Sequence, residues 1–333
     1  MMTLSRHVLP FFHQSTIIVI DDDREFLESF RSRFRRRMLC RAFGDPEEAI
    51  RHIRNTTPRM PRHSGCVVPG DLVSSDGDQA VVFRPAVIRD LMHDANRFEE
   101  VSVAVIDYDM PGINGLEVCR RLRDLPLRKV MLTGAADEKL AMGAFNEGLI
   151  DRFVLKQEAD AVDRLEEVIH QLQVDYFGRI GNELSSLIGL NESAFLVDPV
   201  FHKYFDMLME RENAVEYFLS ENPPGLQLVR GDGVVRTLLV QHYGALAVYA
   251  VAASGQPPGL NERISAGNCQ PWFPTEFGFY SKEYYNSWRT HLYPAERVGP
   301  WYCSVIDGIP GRKLRRPVPS YQDYRRKLYQ GAA

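Results

Sequence analysis

Five cysteines in 333 residues (Cys40, Cys66, Cys119, Cys269 and Cys303) are scattered and odd in number. No two of them stand in the C-x-x-C spacing of a zinc or redox site, so reduced thiols in a cytoplasmic protein are expected rather than a disulfide frame. Charge of one sign is also lacking. A formal net charge of −4 gives no global attraction for nucleic acid or an anionic membrane. Long apolar runs are missing too. The most apolar stretch, Leu238 to Ala253, is broken by Gln241, His242 and Gly244, whereas a spanning helix needs about 20 apolar residues. The opening residues, MMTLSRHVLPFFHQST, lack the sustained apolar core and small-residue cleavage site of a secretory leader. No membrane association is expected.

What is present is an alternation of apolar strands and amphipathic helices. Thr16–Ile20 is a β-branched run that reads as a buried parallel strand, and it stops at Asp21-Asp22-Asp23. Phe26, Leu27, Phe30 and Phe34 then recur at helical spacing. Further strands are expected at Met38–Phe43, Val101–Ile106, Lys129–Leu132 and Arg152–Leu155. Helices are expected at Pro46–Ile53, Leu116–Leu125, Glu138–Glu147 and from about Asp160. The pattern predicts a doubly wound α/β fold. The chain length allows two domains at roughly 100–200 residues each.

The rhythm is broken between residues 56 and 98, where a connection far longer than the common 2–6 residues intervenes. It holds a Pro/Arg/Ser/Gly-rich piece, Thr57–Gly77, and an expected helix, Pro85–Phe98. It reads as an insertion lengthening one edge of the domain and offering a partner surface.

The chemistry gathers at strand ends. In a parallel sheet, residues at the carboxyl ends of the strands converge on one crevice. Here those residues are Asp21 and Asp22, Asp107, Thr133 and Lys156. Clustered carboxylates repel one another unless a cation lies among them, and hard oxygen ligands suit Mg²⁺. A hydroxyl and an ammonium beside them can take up phosphoryl oxygens.

Four segments, IIVIDDD (17–23), VIDYDMPGINGLEV (105–118), VMLTGAAD (130–137) and DRFVLK (151–156), resemble the response-regulator receiver family. The resemblance covers most of residues 15–174 and implies a five-stranded sheet of order 2-1-3-4-5. It implies that Asp107 is the phosphoacceptor, that Asp21, Asp22, Asp107 and the backbone carbonyl of Asp109 hold Mg²⁺, and that Thr133 and Lys156 engage the phosphoryl group. Phe153 takes the switch position, reporting to the face built from the fourth helix, fifth strand and fifth helix. Asp23 reads as a helix-start residue. A sensor histidine kinase or phosphotransfer protein is the implied partner. Gln157 departs from the family, which has proline after the lysine, so a rearranged loop is expected there.

Residues 14–174 are thus read as the receiver, 175–190 as a connecting helix and 191–333 as an α+β output domain. The helical apolar positions Leu165, Val168, Ile169, Leu172, Tyr176, Ile180, Leu184 and Leu187 suit either a homodimer seam or packing on the home domain. In the output region Phe195–Phe218 reads as a helix, Glu221–Gly225 as a turn, and Gly231-Asp232-Gly233 as the turn of a hairpin. No helix-turn-helix, P-loop, metal-ligand cluster or GGDEF-type or EAL-type signature is present. The whole build is similar to atypical response regulators of α-hydroxyketone quorum sensing, whose outputs are thought to resemble nucleotide-binding α/β modules. Acting as a binding module rather than an enzyme is the expectation. The alternative is DNA binding through the basic tail, Arg312, Lys313, Arg315, Arg316, Arg325, Arg326 and Lys327, although a surface helix is the simpler reading of it.

Overall fold

The computed structural model describes residues 7–60, 62, 64–73, 79–134, 137–158, 160–188, 193–252, 259–273, 291–309 and 316–330. The chain divides into two compact units. One comprises His13–Ser64, Ala95–Arg179 and Asp323–Ala333, and the other Met1–Phe12, Gly65–Asp94 and Ile180–Gln322.

In chain order, β1 (Phe11–Phe12) and β2 (Thr16–Ile20) precede α1 (Arg24–Phe34), β3 (Leu39–Phe43) and α2 (Pro46–Thr56). Then come β4 (Val67–Val73), β5 (Gln79–Phe83), α3 (Pro85–His93), β6 (Val101–Asp107) and α4 (Gly115–Arg121). They are followed by β7 (Arg128–Thr133), α5 (Glu138–Asn146), β8 (Arg152–Leu155) and α6 (Ala161–Ile188). The rest is α7 (Pro199–Glu212), β9 (Ala214–Glu221), β10 (Pro224–Arg230), β11 (Val235–His242), α8 (Tyr243–Ala252) and α9 (Leu260–Ser265). Last are β12 (Cys269–Pro271), β13 (Leu292–Pro294), β14 (Glu296–Val298), β15 (Trp301–Asp307) and α10 (Tyr321–Gln330).

The first unit is a parallel sheet of order β3-β2-β6-β7-β8. Successive side chains of a strand point to opposite faces, and here both faces are covered. Ile18, Ile20, Ala104, Ile106 and Met131 join one apolar cluster with α2, α4 and α5. Ile17, Val19, Val103, Val105, Val130 and Leu132 join the other, with α1 and α6. That is why the strands read as unbroken apolar runs. Helix starts are fixed by side chains: Asp23 accepts from the backbone N–H of Glu25 and Phe26, Asp45 from Glu47, and Asn114 from Glu117. In α6, Leu165, Ile169, Leu172 and Tyr176 are buried in this same unit, so this half of the apolar seam packs at home. The side chains of Ile180, Leu184 and Leu187 lie outside the described residues.

Three expectations are corrected. The insertion, expected to lengthen one edge of the first domain, instead pairs β4 with β5 as a separate antiparallel hairpin. Its residues from Gly65 to Asp94 group with the second unit, where α3 packs against β9. The helix expected to reach Phe218 ends at Glu212, because Asn213 adopts a left-handed conformation (φ 51°) that caps it, and Val215–Phe218 pass into β9. The units are also not contiguous along the chain, since Asp323 onward groups with the parallel sheet. There Tyr329 Oη lies 3.0 Å from the Cys40 N–H and 3.1 Å from the Met38 carbonyl, and Arg325 donates to the Arg36 carbonyl at 2.6 Å. Arg325, Arg326 and Lys327 of the basic tail therefore lie on a packed helix, while Arg316 is exposed ahead of it; Arg312, Lys313 and Arg315 lie outside the described residues.

The second unit is built on an antiparallel sheet, β1-β9-β10-β11-β15-β14. With the helices α7, α8 and α9 in the same unit, this is the α+β build expected of the output region. Arg230 O accepts from Gly233 N–H at 2.9 Å, and Gly233 supplies the positive φ (84°) that the expected hairpin turn needs. Trp272, Phe273, Trp301 and Tyr302 are buried. Phe277, Phe279, Tyr280, Tyr284, Tyr285 and Trp288 lie outside the described residues. No described helix is long and apolar enough to cross a membrane.

A buried polar cluster fastens the amino-terminal side of the parallel sheet. Tyr176 Oη donates to Glu100 Oε1 at 2.6 Å, and His13 Nε2 lies 3.6 Å from Glu100 Oε2, with both side chains fully buried. Ser15 and Ser102 share a hydroxyl bond of 2.7 Å, and Gln173 Nε2 donates to Ser15 at 3.2 Å. Removing one donor from a buried carboxylate costs about 1–3 kcal/mol. Tyr176→Phe should therefore lower the unfolding free energy by that amount, seen as a lower urea midpoint at unchanged slope. All five cysteines are free and buried, and burial pushes the Cys66 and Cys119 thiols up to about 12. Since the thiolate is the reactive form, none should react with a thiol probe at pH 8 until denaturant is added.

Candidate functional site

The crevice is made by the carboxyl ends of β2, β6, β7 and β8. Asp21 follows β2 and is fully buried. Its Oδ1 accepts the Asp23 N–H at 3.0 Å, which turns Oδ2 inward. Asp107 ends β6 and is 5% exposed. Lys156 follows β8, with its backbone N–H bonded to the Thr133 carbonyl at 3.0 Å. The Lys156 ammonium lies 2.8 Å from Asp21 Oδ2 and 2.9 Å from Asp107 Oδ1. Asp22 is exposed, but it too offers an oxygen, so that Asp21, Asp22 and Asp107 present ligand atoms within 4.8 Å of one another.

Burial raises the Asp21 pKa above the ordinary carboxylate value, more than the nearby Lys156 lowers it. Burial raises Asp107 likewise, and the Asp21 charge adds to the effect. For Lys156 burial works in the opposite direction, but its hydrogen bonds to Asp21 and Asp107 outweigh it and hold the pKa above the ordinary amine value. Two buried carboxylates thus share one ammonium, with the exposed Asp22 beside them. An all-oxygen cluster of net negative charge, three carboxylates beside one ammonium, fits a hard divalent cation.

The other expected residues fall nearby without joining this ion cluster. Thr133 is fully buried at the end of β7, and its hydroxyl donates to the Gly134 carbonyl at 3.1 Å. Asp109 is exposed on the loop after β6, and the role of its carbonyl rests on the resemblance alone. Phe153 is half-buried on β8, in register with Met131 and packed on the α2–α4–α5 side of the sheet. Beyond Lys156 the chain makes a tight turn, with Glu158 N–H donating to the Leu155 carbonyl at 3.3 Å. The sequence reading missed Phe26. Its ring lies 5.1 Å from Lys156 Nζ, and it had been assigned only to the apolar face of α1. Its place one turn after the acidic triplet was the available signal.

Residues 75–170 match the response regulator receiver domain family. The match includes Asp107, Thr133 and Lys156 and begins after Asp21 and Asp22. The structure of the Legionella pneumophila response regulator LqsR overlays 97% of this chain and 97% of its own, at 27% identity and a TM-score of 0.77. The cyclic di-GMP phosphodiesterase response regulator RpfG of Xanthomonas campestris pv. campestris is 40% identical over 58 residues; that stretch is 16% of this chain and 15% of RpfG. A CheY-like receiver domain protein from Methanospirillum hungatei covers 48% of the chain at 17% identity and a TM-score of 0.32.

One glycine shapes the site. A Cβ on Gly115 would lie 2.2 Å from the Asp107 carbonyl oxygen and 2.9 Å from Met131 Sδ. Gly115→Ala must push the end of β6 aside, so a loss of about 1–3 kcal/mol in unfolding free energy is expected. An unchanged denaturation midpoint would contradict the close approach.

Proposed function

Proceeding from a chain that carries a response regulator receiver domain, we propose that Asp107 accepts a phosphoryl group from a histidine of a sensor kinase or phosphotransfer protein. The observation that carries this reading is the single crevice in which Lys156 bridges Asp21 and Asp107 beside Asp22. An Asp107 carboxylate oxygen forms the new O–P bond. The donor's N–P bond breaks, and its electron pair returns to the imidazole. Asp21, Asp22, Asp107 and the Asp109 carbonyl would hold Mg²⁺, which would supply positive charge to the phosphoryl oxygens. Lys156 neutralises charge on the same group. The Thr133 hydroxyl rotates from the Gly134 carbonyl to donate to a phosphoryl oxygen.

In this reading Thr133 and Phe153 carry the change to the α5–β8–α6 surface, and the phosphorylated state differs from the free state in its affinity for the second unit or for a second copy of the chain. Phosphorylation shifts the balance only through that difference. The second unit acts by binding rather than by catalysis. The overlay with the response regulator LqsR over 97% of the chain supports a response-regulator role, here in a signalling system such as quorum sensing.

Incubation with acetyl phosphate and Mg²⁺ should give one hydroxylamine-sensitive phosphoryl group per chain. Asp107→Asn should abolish it, and Lys156→Ala should slow its formation by about a hundredfold or more, the scale for losing one preorganised charge-stabilising donor. Undiminished labelling of Asp107→Asn would overturn the assignment.

A further inference from the structure

Lys156 carries its charge on a flexible four-carbon stem, and two of its three N–H donors are taken by Asp21 Oδ2 and Asp107 Oδ1. This arrangement cannot persist when the site is in use. Under the function proposed above, Asp21 turns to a cation and Lys156 must remain beside Asp107 with one anchor fewer. The structure supplies another contact, since the Phe26 ring face lies 5.1 Å from Lys156 Nζ, within the range at which an ammonium is attracted to an aromatic quadrupole. The ring is itself held in place. Asp23 accepts the Phe26 N–H at 3.2 Å, which fixes the first turn of α1, and Phe30 packs behind it with ring centroids 6.3 Å apart. Phe26 is half-buried against the α1–α6 core while Lys156 keeps 28% of its side chain exposed, so the ring also shields one side of the ammonium from water.

We propose that Phe26 is a positioning residue that holds the Lys156 ammonium over Asp107 through its aromatic face while Asp21 is engaged elsewhere. This rests on the phosphoacceptor reading and adds a residue to it. The same five-residue stretch, Asp22 to Phe26, thereby supplies a cation ligand, a helix cap and the support for the lysine on the opposite strand.

The test is the maximal rate of acyl-phosphate formation on Asp107 in the full chain with saturating acetyl phosphate and Mg²⁺. In this step the Asp107 O–P bond forms, the acetyl O–P bond breaks and acetate leaves with the electron pair. Phe26→Leu should lower that rate about threefold to tenfold with little change in half-saturating acetyl phosphate, and Phe26→Trp should restore it. Replacing Phe26 by mono-, di- and trifluorophenylalanine keeps the shape nearly constant and weakens the π-face in steps, so the rate should fall stepwise. A Phe26→Leu rate equal to that of the unsubstituted chain would overturn the proposal. So would a flat fluorinated series beside a slow Phe26→Leu, because that pattern marks packing alone. Absence of phosphorylation in the unsubstituted chain would overturn the phosphoacceptor reading and this proposal with it. Phosphorylation that is normal in all Phe26 variants would remove only the proposal.

Discussion

The Lys156 ammonium, 2.8 Å from Asp21 and 2.9 Å from Asp107, is what lets two buried carboxylates occupy one crevice. Leaving a charge uncompensated in a low-dielectric interior costs several kcal/mol per ion, and Asp21 is fully buried and Asp107 nearly so. One cation still does not balance three acidic groups. The remaining negative potential would attract a divalent ion, and the strand ends that hold these residues are fixed by a core packed on both faces of the sheet. The position of Lys156 is set by its backbone bond to Thr133 at one end and by the two carboxylates at the other.

Most of this unit was legible in the sequence for a physical reason. Strands buried on both faces must be continuously apolar, and a polar residue at the carboxyl end of such a run faces the crevice, so Ile20-Asp21 and Ile106-Asp107 mark the site unaided. Helix starts were legible where a side chain caps the backbone, as at Asp23. Phe26 was not, because an aromatic at helical spacing looks the same whether it meets only the core or also touches a cation on a strand 130 residues away. The Thr133 hydroxyl lay where expected, but its bond to Gly134 is a local detail that no spacing reveals.

In the second unit, local chemistry was readable and long-range pairing was not. Gly231-Asp232-Gly233 announced a turn, and β10 and β11 flank it in register, Val229 opposite Val235. The strand β9 was masked by the apolar spacing of Phe205, Leu208 and Met209, which continues smoothly into Val215 and Phe218; only the left-handed Asn213 separates helix from strand. The pairing of Phe11 with Phe218 and the grouping of Gly65–Asp94 with this unit join segments far apart in the chain. A single sequence carries no periodic trace of such contacts. Discontinuous units also explain how a long insertion persists: its helix α3 buries Ile88, Leu91 and Met92, and α3 packs on β9.

Isothermal titration of the full chain with Mg²⁺ tests most directly whether these carboxylates face one cation. The expected result is a single saturable site that Asp21→Asn and Asp107→Asn each weaken by about tenfold or more, as removal of a charged oxygen ligand requires. Binding untouched by both substitutions, or none at millimolar Mg²⁺, would contradict the shared crevice.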